Sequence, residues 1–254
     1  ATKIADNFGL LVIPGVELTG DAKTQGHFNA LFTTDNNAIY DPDALQSIRN
    51  AKAQGALIQH NHPGWQRKSI DMPEFEVKAY AEGLIDGIEI MNGSDFYPGA
   101  IDRAKELGLF MSANTDIHGT TAMDYANVEV GRNMTLIFAK ECTLESLYEA
   151  LQAKRTLAYS GGYITGNEQL LKDLFLASVS YEIISKSNRG CSIVLTNNCS
   201  FAYSFKTSEN ALPITLHPMK SITISTDKKG VLNLTMTNMF CGTNKHPQIS
   251  LEVK

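Results

Sequence analysis

The segment GIEIMNGSDFYPGAIDRAKELGLFMSANTDIHG, residues 87–119, decides the fold. An isoleucine-rich run closes on Asn92, Pro98 opens an amphipathic stretch that stops at Gly108, and a second apolar run ends in Asn114, Asp116 and His118. Strand, helix and strand within so short a span are the signature of a β-α-β unit and a largely parallel sheet. The same alternation extends outward. LLVIPGVEL (10–18) and HFNALFTT (27–34) read as strands, and Asp41 reads as an N-cap with Pro42 at the first helical position. Leu45, Ile48, Ala51 and Ala53 then form an apolar helical face ending at Gly55. Strand ALIQHNH (56–62), a helix near 73–82, the strand LFMSANTDIH (109–118), strand NMTLIFA (133–139), a helix over 143–154 and strand TLAYS (156–160) continue the pattern.

From about Ser178 the texture changes. VSYEIIS, SIVLTNN, AYSFKTS, SITISTD, VLNLTMTNM and QISLEVK are strand-length runs with period-two alternation, which predicts a small β-sandwich. The predicted organisation is an α/β domain over residues 1–175 followed by an all-β domain over 176–254.

Composition narrows the function classes. The 254 residues are 43% hydrophobic and 19% charged, with 22 Lys+Arg against 27 Asp+Glu. A net charge of −5 offers no basic stripe of the kind nucleic-acid binders use to displace counterions, so no nucleic acid is expected as primary partner. The acidity is uneven: residues 1–177 carry −9 and residues 178–254 carry +4. An acidic α/β part is compatible with bound cations. No run approaches the length of a membrane span, and ATKIADNFG has neither the basic nor the apolar region of a signal peptide. Cys142, Cys191, Cys199 and Cys241 form no C-x-x-C pair and read as buried free thiols, with a Cys191–Cys199 cross-strand disulfide as the alternative.

The chemistry-bearing residues close three apolar runs: Glu17 in VIPGVELTG, His62 in ALIQHNHPGW, and Asp116 with His118 in MSANTDIHG. Ligands in parallel β/α folds bind at the C-terminal ends of strands. Imidazole and carboxylate together suit zinc, manganese or iron, and Asp-x-His on an extended chain aims both side chains one way. Each residue alone has a plainer reading: a salt-bridge or capping Glu, a His in a Pro turn, an Asx-turn Asp. Their joint occurrence favours one metal site. His60 and His27 read as packed or supporting histidines, and His217 and His246, beside Pro218 and Pro247, as surface turn residues. Asn92 is positioned to bond a ligand, Glu89 to pair internally, and Trp65 to wall the cleft or cap the core.

The ordered set GVEL, NHPGW, GIEIMNG and SANTDIHG resembles the PHP (polymerase and histidinol phosphatase) superfamily of metal-dependent phosphoesterases over about residues 1–165. The resemblance implies a distorted seven-stranded β/α barrel holding two or three divalent ions that activate water against a small-molecule phosphate ester. Glu17 matches the bridging carboxylate, His62 the histidine of the His-Pro motif, and Asp116 and His118 the final pair. Arg132 resembles a position the subgroup keeps near its metals, where a guanidinium takes a phosphate oxygen bidentately. The whole chain is similar to a two-domain bacterial subgroup in which an immunoglobulin-like sandwich follows the barrel, implying a periplasmic or envelope-associated setting. The family's opening His-x-His pair and acid-His motif do not precede Glu17. About three β/α units are therefore expected to have been lost upstream by processing or truncation.

No serine-histidine-aspartate order or phosphate-binding Gly-rich loop competes with metal chemistry. The rival readings are a metal-dependent hydrolase of amides or carbohydrate esters, and a catalytically inactive binding module whose sandwich contacts glycans or envelope proteins.

Overall fold

The computed structural model describes residues 2–124 and 132–253. The chain divides into two compact units, Ala1–Ser160 and Gly161–Lys254. In the first, helix α1 (Thr2–Asp6) precedes a six-stranded sheet of β1 (Gly15–Thr19), β2 (His27–Leu31), β3 (Leu57–Asn61), β4 (Gly87–Asn92), β5 (Asp95–Phe96) and β6 (Phe110–Asn114). Helices α2 (Ala44–Ala53), α3 (Glu74–Ala81) and α4 (Pro98–Leu107) interrupt it, and α5 (Thr121–Asp124) follows β6. Strand β7 (Met134–Ile137), helix α6 (Leu144–Gln152) and strand β8 (Thr156–Ser160) complete the unit.

The sheet is mixed, and among the described residues neither it nor the β7–β8 pair closes into a barrel. Strands β3, β4 and β6 are parallel, whereas β1–β2, β2–β3, β4–β5 and β7–β8 are antiparallel. The expectation of a largely parallel sheet fails first at β1–β2. Only residues 20–26 join those strands, too few for the crossover that parallel neighbours need. Burial follows the pairing: β3 is buried along its whole length, while β1, at the end of the sheet path, alternates between exposed and half-buried.

Local chemistry sets the element ends. Strand β1 starts at Gly15 rather than near Leu10, because Pro14 has no N–H to give a ladder. Helix α2 is capped by Asp43, whose carboxylate accepts the Leu45 N–H at 2.9 Å, and not by Asp41. Ser47 Oγ accepts from Asp41 N at 2.9 Å and donates to Asp41 O at 3.0 Å, which holds Asp41 outside the helix. Strand β6 stops at Asn114, short of the expected His118, because Asp116 takes φ +52° and leaves the extended region. The core beneath the sheet gathers Phe28, Ile39, Leu45, Ile48, Ile58 and Ile85. Gly87 admits the Phe110 ring across the β4–β6 pair, where a β-carbon would collide with it.

In the second unit, β9 (Tyr163–Gly166) pairs in parallel with β16 (Met239–Phe240), and helix α7 (Glu168–Ser178) runs directly into β10 (Val179–Ser187). One sheet is β10, β11 (Gly190–Asn197) and β14 (Ser221–Ser225). The other is β13 (Ile214–Leu216), β12 (Tyr203–Lys206), β15 (Val231–Met236) and β17 (Gln248–Glu252). Strict alternation in β11 and β17 gives each one buried face. Helix α7 falls in this unit, which begins at Gly161. Its Phe175 is fully buried with its ring 5.0 Å from that of Tyr203.

All four cysteines are free; Cys191 and Cys241 are buried, Cys199 is half-buried and Cys142 is exposed just ahead of the Thr143 cap of α6. Cys191 lies near the start of β11 and Cys199 two residues past its end, so about 20 Å of extended strand separates Cys191 from Asn197, which no disulfide spans. His217 is exposed as expected, but His246 is half-buried, bonding Met239 O at 2.7 Å and packing on Phe240. No described helix is long and apolar enough to cross a membrane. Truncating Phe175 to Ala is expected to cost about 3–5 kcal/mol in the unfolding transition of the second unit, measured in urea. A loss below about 1 kcal/mol would show that α7 is not part of that core.

Candidate metal centre

The β1–β2 hairpin brings Glu17 and His27 to one face. Its register sets Thr19 opposite His27 and Glu17 opposite Asn29, so Glu17 and His27 are diagonal neighbours on the same side of the pair. His62 follows the last residue of β3 at φ +28°, and Asp116 follows β6 at φ +52°. Positive φ at residues other than glycine is uncommon and concentrates at functional sites. The His62 backbone is held there from two sides. Its N–H donates to Glu89 Oε2 at 2.5 Å, and its carbonyl accepts the Trp65 N–H at 2.9 Å.

Donor atoms of Glu17, His27 and His62 all lie within 4.8 Å of one another. His27 Nδ1 is 3.3 Å from Glu17 Oε1 and 3.0 Å from His62 Nε2. Ligands about 2.0–2.2 Å from a tetrahedral ion sit roughly 3.3 Å apart, so the spacing fits a bound cation. The tautomer agrees. His27 Nε2 lies 3.1 Å from Gly20 O, an acceptor only, so Nε2 carries a proton and Nδ1, facing the Glu17 carboxylate, is the nitrogen that would coordinate a cation. In the metal-free protein His62 Nε2 at 3.0 Å can share a proton with that Nδ1, and a cation replacing the proton would be met by all three side chains. Asn61 Nδ2 donates to Glu17 Oε1 at 3.2 Å and orients that carboxylate.

Behind His62 lies Glu89, 1% exposed. Its Oε2 also accepts from Asn92 Nδ2 at 3.0 Å, and its Oε1 from Asn114 Nδ2 at 2.7 Å. His62 Nδ1 is 3.6 Å from Glu89 and 3.7 Å from Asp116 Oδ2. Burial lowers the pKa of His62, but Glu89, with help from Asp116 and Glu17, outweighs it and raises the value above the ordinary 6.5. A cleft of about 70 Å³ lies between Glu17, Asn61, His62, Glu89, Asn114 and Asp116, space for an ion with one or two waters.

The sequence-predicted residues are placed as follows. Glu17 and His62 come together, with Asp116 beside His62. His118 is largely exposed; its Nδ1 bonds the Asp116 carbonyl at 2.8 Å and lies 3.8 Å from Asp116 Oδ1. Asn92 is at the cleft, bonded to Glu89 and 3.4 Å from His62 Nδ1. Arg132 is exposed, immediately after the undescribed residues 125–131. Trp65 is partly exposed and packs its ring against both His27 and His62, at 5.2 and 5.5 Å. The residue that sequence reasoning set aside is His27. The sequence signal for it is limited to a Gly20–Gly26 turn segment between two strand-like runs; the register that puts His27 and Glu17 on one face is seen only in the structure.

His60 lies on the opposite side of the backbone from Asn61, fully buried, stacked on Phe28 at 4.9 Å and 2.8 Å from Tyr80 Oη through Nδ1. Its Nε2 is 3.2 Å from Glu76 Oε1. Burial drives its pKa below 6.5, against the pull of Glu76. For Glu76 burial acts upward, but His60 and then Arg67 prevail and hold the carboxyl below 4.5.

No protein-family model matches the chain, and no curated protein matches it. Among solved structures, the chain is similar to a two-domain protein from Bacteroides vulgatus ATCC 8482, described as containing a predicted PHP-like metal-dependent phosphoesterase. The two share 31% identity at a TM-score of 0.91, over 99% of this chain and 78% of that one.

The buried His60 generates a pH dependence with a definite sign. Between 6.5 and its lowered folded pKa, the unfolded chain binds a proton that the folded chain does not, so stability falls as pH falls through that window. Glu76 continues the fall below 4.5, where its depressed pKa makes the folded carboxylate resist protonation. His60→Gln is expected to flatten the profile just below 6.5 and to weaken the lower fall to the part that Arg67 sustains, read from urea midpoints between pH 8 and 4 on the metal-free protein. An unchanged profile in that upper window would contradict a neutral buried His60.

Proposed function

This chain belongs to the family of two-domain proteins with a PHP-like metal-dependent phosphoesterase domain, and from that premise we propose that it hydrolyses a small-molecule phosphate ester with metal-activated water. The observation that carries the reading is the convergence of Glu17, His27 Nδ1 and His62 Nε2, with the His27 proton committed to Gly20 O. Glu17, His27 and His62 hold a divalent ion, and Asp116 and His118 extend the donor set from the loop after β6. Zinc, manganese and iron all suit these donors, and the family reading takes two or three ions in the complete protein. Such ions lower the pKa of bound water toward about 7 and neutralise charge on phosphoryl oxygens.

The chain's own residues then have separable tasks. Glu89 fixes the His62 backbone and faces its ring nitrogen, and Asn61 orients Glu17. Trp65 covers the two imidazoles and limits water beside them. Asn92, at the cleft, and Arg132, from the start of the β7 segment, are assigned to the substrate's phosphoryl oxygens. The same reading takes the first unit as part of a distorted seven-stranded β/α barrel with its hydrolase function within residues 1–175. It takes residues 176–254 as an immunoglobulin-like sandwich. Parallel β3, β4 and β6, and the alternating faces of β11, β15 and β17, support that assignment.

The experiment loads the protein with manganese or zinc and follows release of the alcohol from a generic aryl phosphate, beside an aryl amide and an acetylated sugar. The expected result is metal-dependent turnover of the phosphate. In His27→Ala and in Glu17→Gln, metal affinity falls by about 100-fold or more and turnover is lost with it, whereas His217→Ala changes neither. Metal-dependent cleavage of the amide or the sugar ester in place of the phosphate would reassign the substrate. Full metal content in His27→Ala would overturn the site.

A further inference from the structure

We propose that the buried Arg67–Glu76 ion pair is a clamp that positions His27 against His62, a role that rests on the metal centre described above. Arg67 lies five residues after His62, and its guanidinium touches three segments at once. Nε donates to Ala22 O at 2.6 Å, Nη1 to Pro63 O at 3.4 Å, and Nη2 lies 2.6 Å from Glu76 Oε1. Ala22 belongs to the loop that delivers His27, Pro63 follows His62, and Glu76 stands in the first turn of α3. One side chain thus ties the carriers of both imidazoles to a helix.

Gly26 makes the tie specific to His27. It directly precedes that residue and has φ +81°, and a β-carbon on it would lie 2.8 Å from Glu76 Oε1, 3.3 Å from His60 Nε2 and 3.4 Å from Arg67 Nη2. The backbone entering β2 therefore rests on the ion pair itself. Glu76 is fully buried, and neither of its carboxylate oxygens has a hydrogen-bond partner among the described residues, Oε1 meeting Arg67 and His60 as close charge partners only. Burying a carboxylate in that state is poor economy for stability alone, since apolar residues of similar volume commonly replace buried ion pairs without loss. A planar guanidinium that reaches two carbonyls and a carboxylate together fixes direction as well as charge, which a lysine cannot reproduce.

The test separates positioning from folding and uses the full chain. Arg67→Lys keeps the charge beside Glu76 but loses the fork; the double variant Arg67→Met/Glu76→Leu removes both buried charges and keeps the volume. Cobalt(II) is the metal probe, read by chelator competition and by its visible absorption bands. The imidazole NMR signals of the metal-free protein are a second readout. In both variants cobalt affinity is expected to fall by about tenfold or more and its bands to change. The His27 and His62 ring signals should move while that of exposed His217 stays, with the unfolding midpoint of the double variant close to wild type. Unchanged cobalt affinity together with unmoved His27 and His62 signals would overturn the clamp. If wild-type protein takes up no cobalt, the metal reading falls, and the ring signals alone decide the clamp: movement upholds it and constancy refutes it.

Discussion

A carboxylate removed from water must recover its lost hydration from the groups around it, and Glu89 does so with donors drawn from three strand ends. The His62 N–H beyond β3, the Asn92 amide at the end of β4 and the Asn114 amide at the end of β6 all point at its two oxygens. Those bonds fix the C-terminal edge of the parallel part of the sheet. They also compel His62 into its positive φ, since the backbone N–H must turn inward to reach Oε2. Asn133 extends the arrangement toward β7, donating to Gly93 O and Asn114 O while accepting from Ser160 Oγ. The cleft is thus walled largely by groups already engaged with one another, with Glu17 and Asp116 among its lining carboxylates.

The hairpin side is held by different physics. His27 enters β2 through Gly26, over a buried ion pair, and spends its Nε2 proton on Gly20 O. Burial leaves His60 neutral, whereas the partners of Glu76 hold it ionised against burial, so the cluster beneath the hairpin keeps one charge state near neutral pH. Rigid support on both sides of a donor set limits the reorganisation that metal binding requires. Trp65, packed on both rings from the solvent side, adds apolar cover without occupying the cleft.

Much of this was legible in the residues. The β-α-β segment at 87–119, the helix ends at Pro98 and Gly108, and the alternating strands after Ser178 follow from short-range rules, and the structure contains them. Glu17, His62 and Asp116 stood out because each closes an apolar run. His27 did not, because it begins a strand, and only the pairing register, a tertiary fact, carries it to Glu17. Asp41 and Asp43 are equally good caps by type, and the choice between them rests on a Ser47 bond four residues into the helix. The mixed pairing around β2 was hidden for a similar reason: hydrophobic patterning states which faces are buried, whereas strand direction depends on connections.

The proposed function requires that Glu17, His27 and His62 form a cation site whose donor atoms are fixed before the ion arrives. Anomalous diffraction at the zinc edge, from crystals grown with zinc, locates the ion directly. A peak is expected about 2.0–2.2 Å from His27 Nδ1, His62 Nε2 and a Glu17 carboxylate oxygen, with Gly20 O still bonded to His27 Nε2. A zinc-loaded crystal with its anomalous peaks elsewhere and none among these three side chains would contradict it.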